Sequence, residues 1–328
     1  MLALWTASVS LTTTSSLPPL PTINNFRDLG GMACANGASV KPCLLLRSAD
    51  LETASPEDLT KLKGELPGLR IVDLRGAEDA HNPGKLHEGP EIFRQQLSHI
   101  EVFPKKTGAK RIARHLATDR VRIGGPLLTP ALLRYFPKFL PGSTTVRRFA
   151  DRVVDSGVRK FLDTIQLSDV YWWILMEQPE KLAEVIRLTA TQCSEGKATL
   201  IHCAHGKDRT GVVIMLLLHI CGVSPEAIAT DYSLSGEYGC SPTGQSIMLA
   251  AMPGRFRERI GSWANVGGED QDEGWKQFGR WCDAEEATML RVIARLEDKY
   301  GSVDAYLEKK CGIFAEERAS LATTLTTR

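Results

Sequence analysis

Between Ala198 and Gly222 the chain carries an apolar strand signal, a cysteine, a short polar turn with one glycine, and a helix that has no polar face. Ala198-Thr199-Leu200-Ile201-His202-Cys203 reads as a buried strand. Gly211 to Ile220 is too apolar to meet water on any side, so it must be a helix packed within the molecule, and Gly222 supplies the stop. A strand followed closely by a fully covered helix argues for a layered α/β arrangement.

The surrounding chain repeats the alternation. Leu44 to Arg47 and Leu69 to Leu74 are further strand signals. Ser55-Pro56-Glu57-Asp58 is a helix start, with a Ser cap, Pro at the first helical position and acids in the first turn; Gly64 is the expected stop. Ser224-Pro225-Glu226 repeats that signal. Tyr171 to Met176, Leu182 to Leu188 and Ala284 to Tyr300 have helical spacing, and residues 266–274 form a flexible acidic loop. The expected fold class is α/β, a central and mostly parallel sheet flanked by helices.

The chain has 328 residues, a formal net charge of +1 and a charged fraction of 24%. That balance gives no reason to expect a nucleic-acid partner. Residues 105–160 depart from it, with fourteen Lys/Arg against three Asp/Glu. They are read as a basic helical insertion, either a solvated surface or a lid that attracts anionic substrates or the head groups of an anionic membrane. Residues 1–22, rich in Ser, Thr, Leu and Pro, are expected as a flexible tail, 23–320 as one domain and 321–328 as a second tail. No apolar run reaches the roughly 20 residues of a membrane span, and Met1 to Pro21 lacks the basic start of a signal peptide. The eight Cys show no CxxC pair or zinc spacing, so reduced thiols, a cytoplasmic location and no metal are expected.

Chemistry concentrates in His202-Cys203-Ala204-His205-Gly206-Lys207-Asp208-Arg209-Thr210-Gly211. A tight loop running into a helix N-terminus presents backbone N–H groups and a positive dipole end to a phosphate dianion. Ala204, His205, Gly206, Lys207 and Arg209 are the candidate phosphate-binding residues. Gly206 permits backbone angles closed to other residues, and the planar Arg209 fork pairs with two phosphate oxygens at once. Cys203 is the candidate nucleophile, a thiolate that displaces the alcohol and leaves a thiophosphate for water to hydrolyse. His202 points away from Cys203 on a strand and is expected to fix the loop through its carbonyls. Thr210 is expected to donate its hydroxyl to the sulfur.

With these residues in view the chain resembles a known family. Asn25-Phe26-Arg27-Asp28-Leu29-Gly30-Gly31, Leu46-Arg47-Ser48, Val72-Asp73-Leu74-Arg75, the cysteine loop and Asp231-Tyr232-x-x-Ser235 recur in the same order in the atypical protein tyrosine and phosphoinositide phosphatases of bacteria and fungi. The resemblance spans roughly residues 23–240. It implies a cysteine-phosphatase-like fold with the loop at a strand's C-terminal end. It also implies dephosphorylation of phosphotyrosine, often with dual specificity or phosphoinositide activity, and no cofactor.

Several roles stay open at this point. A leaving alkoxide or phenoxide needs a proton. The resemblance offers Asp208 as the acid; Asp73, at a strand end, is the alternative. Lys207 either adds charge at the pocket for a multiply phosphorylated substrate or is a solvated side chain. Arg27 and Asp28 are read as a clamp behind the site, and Arg47 and Arg75 as further clamps or substrate contacts. Asp231 and Tyr232, placed just after the helix begun by Pro225, are read as structural. The family usually has a small residue where His205 stands, so the imidazole either narrows the pocket or faces away. Three other readings compete with a protein phosphatase: a phosphoinositide phosphatase, a sulfurtransferase, which would need no Asp-Arg-Thr-Gly continuation, and an inactive phosphate-binding module.

Overall fold

A computed structural model describes residues 17–76, 90–103, 155–252, 254–264 and 273–327. Its main sheet has five strands, β1 (Arg27–Asp28), β3 (Leu45–Ser48), β4 (Arg70–Asp73), β5 (Leu97–His99) and β6 (Thr199–His202), in the order β1-β3-β6-β4-β5. Only β1 is antiparallel; the pairs β3–β6, β6–β4 and β4–β5 run parallel. The apolar strand read from Ala198 to Cys203 occupies the central position. Its register sets Ser48 and Asp73 on either side of His202. Three strand ends thus meet in one row, directly before Cys203.

Alternation of side chains along each strand feeds two separate cores. Leu46, Ile71 and Leu200 face α1 (Pro56–Glu65) and pack with Leu59, Leu62 and Leu66. Leu45, Val72 and Ile201 face the opposite way, into a larger core. Its centre is α4 (Asp208–Ile220), whose residues from Thr210 to Leu218 are all buried. Around it lie α2 (Leu167–Glu177), α3 (Pro179–Ser194), α5 (Pro225–Ser233) and α10 (Glu286–Tyr300). Three short helices, α6 (Ser235–Cys240), α7 (Pro242–Ala251) and α9 (Glu273–Cys282), and α8 (Gly254–Ala264) complete that side.

The Ser55 and Ser224 caps form as the sequence predicts, accepting from the Asp58 and Ala227 amides. Four expectations need correcting. Helix α1 runs through Gly64 to Glu65, because a residue without a side chain costs a helix only about 1 kcal/mol; the reversal is made at Gly68, where φ is +77°. The segment before Ile23 is not loose from Leu17 on: Leu20 is buried, and Thr22 donates from its amide and its hydroxyl to Asp58. Of the expected tail 321–328, residues 321–327 are ordered: α11 (Ala315–Leu325) buries Leu321 and Leu325 and Thr326–Thr327 (β7) pairs with β2 (Ser39–Val40). Glu273 and Gly274, assigned to an acidic loop, open α9; the rest of that loop, 266–272, lies outside the described residues. So does most of the basic stretch. Its last residues enter a helix over 155–164 whose Val158 and Phe161 join the larger core.

Candidate active site

The loop from Cys203 to Lys207 springs from the carboxyl end of β6 and runs straight into α4. Cys203 is buried at 1% exposure, while Ala204, Asp208 and Arg209 are partly exposed. The loop's shape depends on Gly206. Its φ is +64°, and a Cβ there would overlap the Ser48 carbonyl and sit 2.6 Å from the Ala49 amide nitrogen. The loop and the end of β3 approach more closely than any side chain allows.

From behind, the loop's carbonyls are clasped so that its amides are left for the front. Arg47, fully buried, donates from Nη2 to the Gly206 oxygen at 2.7 Å. Asn25 donates to the His205 oxygen at 2.8 Å, and the Asp50 amide to the Ala204 oxygen at 3.2 Å. Asp231 collects both guanidiniums: Arg27 Nε at 2.6 Å, and Arg47 Nη1. Ser235 accepts from both as well. Burial, with the adjacent Arg27 charge, pushes the Arg47 guanidinium down to about 10 against the pull of Asp231. Two guanidiniums on one carboxylate leave net positive charge under the loop, where an anion in front of it is attracted.

Several expected roles change. Arg27 belongs to the clamp; Asp28 does not, and instead accepts from the Gly30 and Cys43 amides to close its own turn. Arg47 is buried, with its guanidinium held by the Gly206 carbonyl and Asp231. Arg75 is also buried, held by Asp73 at 2.8 Å and by both Glu52 oxygens at 2.6 Å. Asp231 and Tyr232 lie inside α5, not after it. Lys207 is neither rim nor solvated. It is fully buried and donates to the carbonyls of Trp281 at 2.7 Å and Asp283 at 2.9 Å. His205 is buried and bonds the Gly244 carbonyl at 2.7 Å, anchoring the loop on α7. Burial holds its imidazole below the ordinary value. The His202 imidazole lies 3.4 Å from the Cys203 carbonyl and 3.9 Å from Asp73. Thr210 Oγ1 is buried and has no hydrogen-bond partner among the described residues, the sulfur included.

The two candidate acids sit in different surroundings. Asp73 is 1% exposed, and Arg75 takes both its oxygens. Burial disfavours its charge, but His202 and Arg75 outweigh burial and hold the carboxyl low. Asp208, at the first position of α4, has a side chain 21% exposed. Burial again opposes its charge, and Lys207, His205, a Tyr171 hydrogen bond and Arg209 overcome it. Tyr171 is a residue the sequence reading missed. Its hydroxyl donates to Asp208 Oδ1 at 2.6 Å and lies 2.7 Å from the Tyr232 hydroxyl. Asp231-Tyr232 stood out as a motif; nothing local marked Tyr171, an aromatic in an apolar helix. Among the described residues no group of three or more His, Cys, Asp and Glu is placed to hold a metal, and no helix is long and apolar enough to cross a membrane.

The chain is similar in sequence to several known proteins. The chain is 31% identical over 156 residues to a tyrosine-protein phosphatase of Nostoc commune, covering 47% of this chain and 46% of that one. It is 30% identical over 217 residues to a provisionally named tyrosine-protein phosphatase of Cupriavidus necator, covering 66% of this chain and 62% of the relative. A triple specificity protein phosphatase of Mycobacterium tuberculosis is 25% identical over 222 residues, 66% of this chain and 68% of the relative. The chain thus spans less than two thirds of the length of the first two. The Tyrosine phosphatase family profile matches residues 18–327, and with nearly the whole fold inside that match the chain belongs to the tyrosine phosphatase family.

Proposed function

We propose that the chain hydrolyses phosphate monoesters through a cysteinyl-phosphate intermediate, acting on phosphotyrosine in proteins or on phosphotyrosine and phosphoserine alike. The observation that carries the reading is the cysteine loop itself: a sulfur at the end of the central strand, a left-handed Gly206 and carbonyls clasped from behind, running into a helix N-terminus. Loop amides and the Arg209 fork bind three phosphate oxygens. The Cys203 thiolate attacks phosphorus in line, forming the S–P bond as the ester P–O bond breaks. Asp208 gives its proton to the departing oxygen. It then takes a proton from water, which attacks phosphorus, breaks the S–P bond and returns the thiolate.

Asp208 is favoured over Asp73 because it is the partly exposed carboxyl and the other is wholly engaged by Arg75. Lys207 no longer supports a multiply phosphorylated lipid, since its ammonium is taken by two carbonyls. The lack of a CxxC pair or zinc spacing among the eight cysteines of the sequence supports a reduced, cytoplasmic setting.

The test compares purified protein with its Cys203→Ser variant on a phosphotyrosine peptide, a phosphoserine peptide and phosphoinositides. Acid quenching within the first turnover should trap one phosphate per chain on wild type and none on the variant. Equal turnover by both removes Cys203 as nucleophile; release from phosphoinositides alone removes the protein-substrate reading.

A further inference from the structure

The Tyr232–Tyr171–Asp208 chain has no place in the mechanism above, yet it is built of buried groups. Both tyrosines are buried, with rings in edge contact at 5.9 Å between centroids. Tyr171 has one hydroxyl proton, and a carboxylate accepts but does not donate. With that proton on Asp208 Oδ1 at 2.6 Å, the 2.7 Å contact between hydroxyls must run from Tyr232 to Tyr171. The direction of the whole chain is therefore fixed. The Lys207 ammonium lies 3.6 Å from the same oxygen. Oδ1 is thus held on the protein side, and among the described residues no donor reaches Oδ2. That second oxygen remains for a proton and a leaving group.

We propose that Tyr171 is a positioning residue that turns Asp208 so that one oxygen, Oδ2, faces the scissile ester, with Tyr232 fixing the direction of the Tyr171 hydroxyl. The proposal rests on Asp208 being the general acid. The groups that face the carboxyl are Lys207, His205 and Arg209 from the loop and first turn, Tyr171 from α2, and behind it Tyr232 from α5, which Asp283 also faces. Removing either tyrosine hydroxyl leaves every formal charge in place, and the Tyr171 hydroxyl is the one bonded to the carboxyl itself.

A proton donor matters for a poor leaving group and little for a good one, which gives a readout that simple loss of stability does not produce. Turnover by wild type, Tyr171→Phe, Tyr232→Phe and Asp208→Asn is measured on an aryl phosphate series running from phenyl phosphate to a fluorinated, strongly acidic phenol. Asp208→Asn should lose about 100-fold on the phenyl ester and much less on the activated one. Tyr171→Phe should show the same slope at about tenfold, Tyr232→Phe a smaller loss, and Tyr171→Phe should add nothing in the Asp208→Asn background. The alkaline limb of kcat/KM should move to higher pH in Tyr171→Phe, because the bond that favours the ionised carboxyl is gone. If Asp208→Asn shows no dependence on leaving group, the assignment of the acid fails. If it does and Tyr171→Phe loses equally on all esters with its limb unmoved, the acid stands and the positioning role of Tyr171 is wrong. Thermal denaturation of each variant identifies any loss that comes from unfolding.

Discussion

Arg47 meets Gly206 across the back of the phosphate loop: a fully buried guanidinium donates to the one loop carbonyl that a left-handed glycine turns toward it. Neither residue can change alone. Without the glycine the loop rides up from β3; without the arginine the carbonyl and Asp231 each lose a buried partner.

Gly206→Ala is therefore expected to remove activity without unfolding the protein. The added methyl meets Ser48 and Ala49 backbone, which cannot swing aside. A displacement of about 1 Å in a positioning element costs on the order of 100-fold in turnover. Vanadate titration followed by intrinsic fluorescence should show weakened oxyanion binding in step with the lost rate. Unchanged vanadate affinity would show that the loop tolerates the methyl.

Arg47→Met keeps volume and removes the charge. Breaking a buried ion pair costs about 3–5 kcal/mol, and here the remaining Arg27–Asp231 pair should keep the loss near the lower end. Urea denaturation measures it. A loss below about 1 kcal/mol would mean that the clasp contributes shape and no stability.

Acid should destabilise the fold in two stages. Burial holds His202 and His205 below the ordinary histidine value, so the folded protein binds their protons more weakly than the unfolded chain does. Their contribution is present above about pH 6.5 and drains as pH falls through the folded values. Burial disfavours the Asp231 charge too, but Arg47 and Arg27 outweigh it and hold the carboxyl low. That contribution is whole above about pH 4 and is lost below it. Denaturation midpoints from pH 8 to pH 3 should fall in both windows, and His205→Asn should flatten the upper one. A curve level from pH 8 to pH 5 would contradict the histidine part.

Leu325→Ala should cost about 2–5 kcal/mol, the usual range for a fully buried leucine. It lies in the segment that carries β7, far along the chain from the loop, so the aryl phosphate kcat at permissive temperature should stay as in wild type. A stability change near zero would show that the end of α11 is not part of the larger core.

What the sequence made legible was whatever is settled by neighbours along the chain. The Ser55 and Ser224 caps, the covered helix after Arg209 and the strand before Cys203 all depend on residues within a turn or two. The strands Leu45–Ser48 and Arg70–Asp73 could be placed to within a residue for the same reason. Roles settled by distant partners were not legible. Lys207 carries a charge that is usually solvated, and two carbonyls at the end of α9, with the Asp208 carboxylate 3.6 Å away, make its burial bearable. His205 looked like a pocket residue until α7 offered it Gly244. Asp28 and Arg27 are adjacent and opposite in charge, which suggests one clamp, but a strand sends them to opposite sides.

The reach of Lys207 also has a meaning in time. Its two acceptor carbonyls come 74 and 76 residues later in the chain. At about 5–20 residues per second, a ribosome takes roughly 4–15 s to deliver them. Until then the ammonium stays hydrated and the loop lacks one of its anchors. A newborn chain therefore has its sulfur well before it has the frame that shapes the pocket around it.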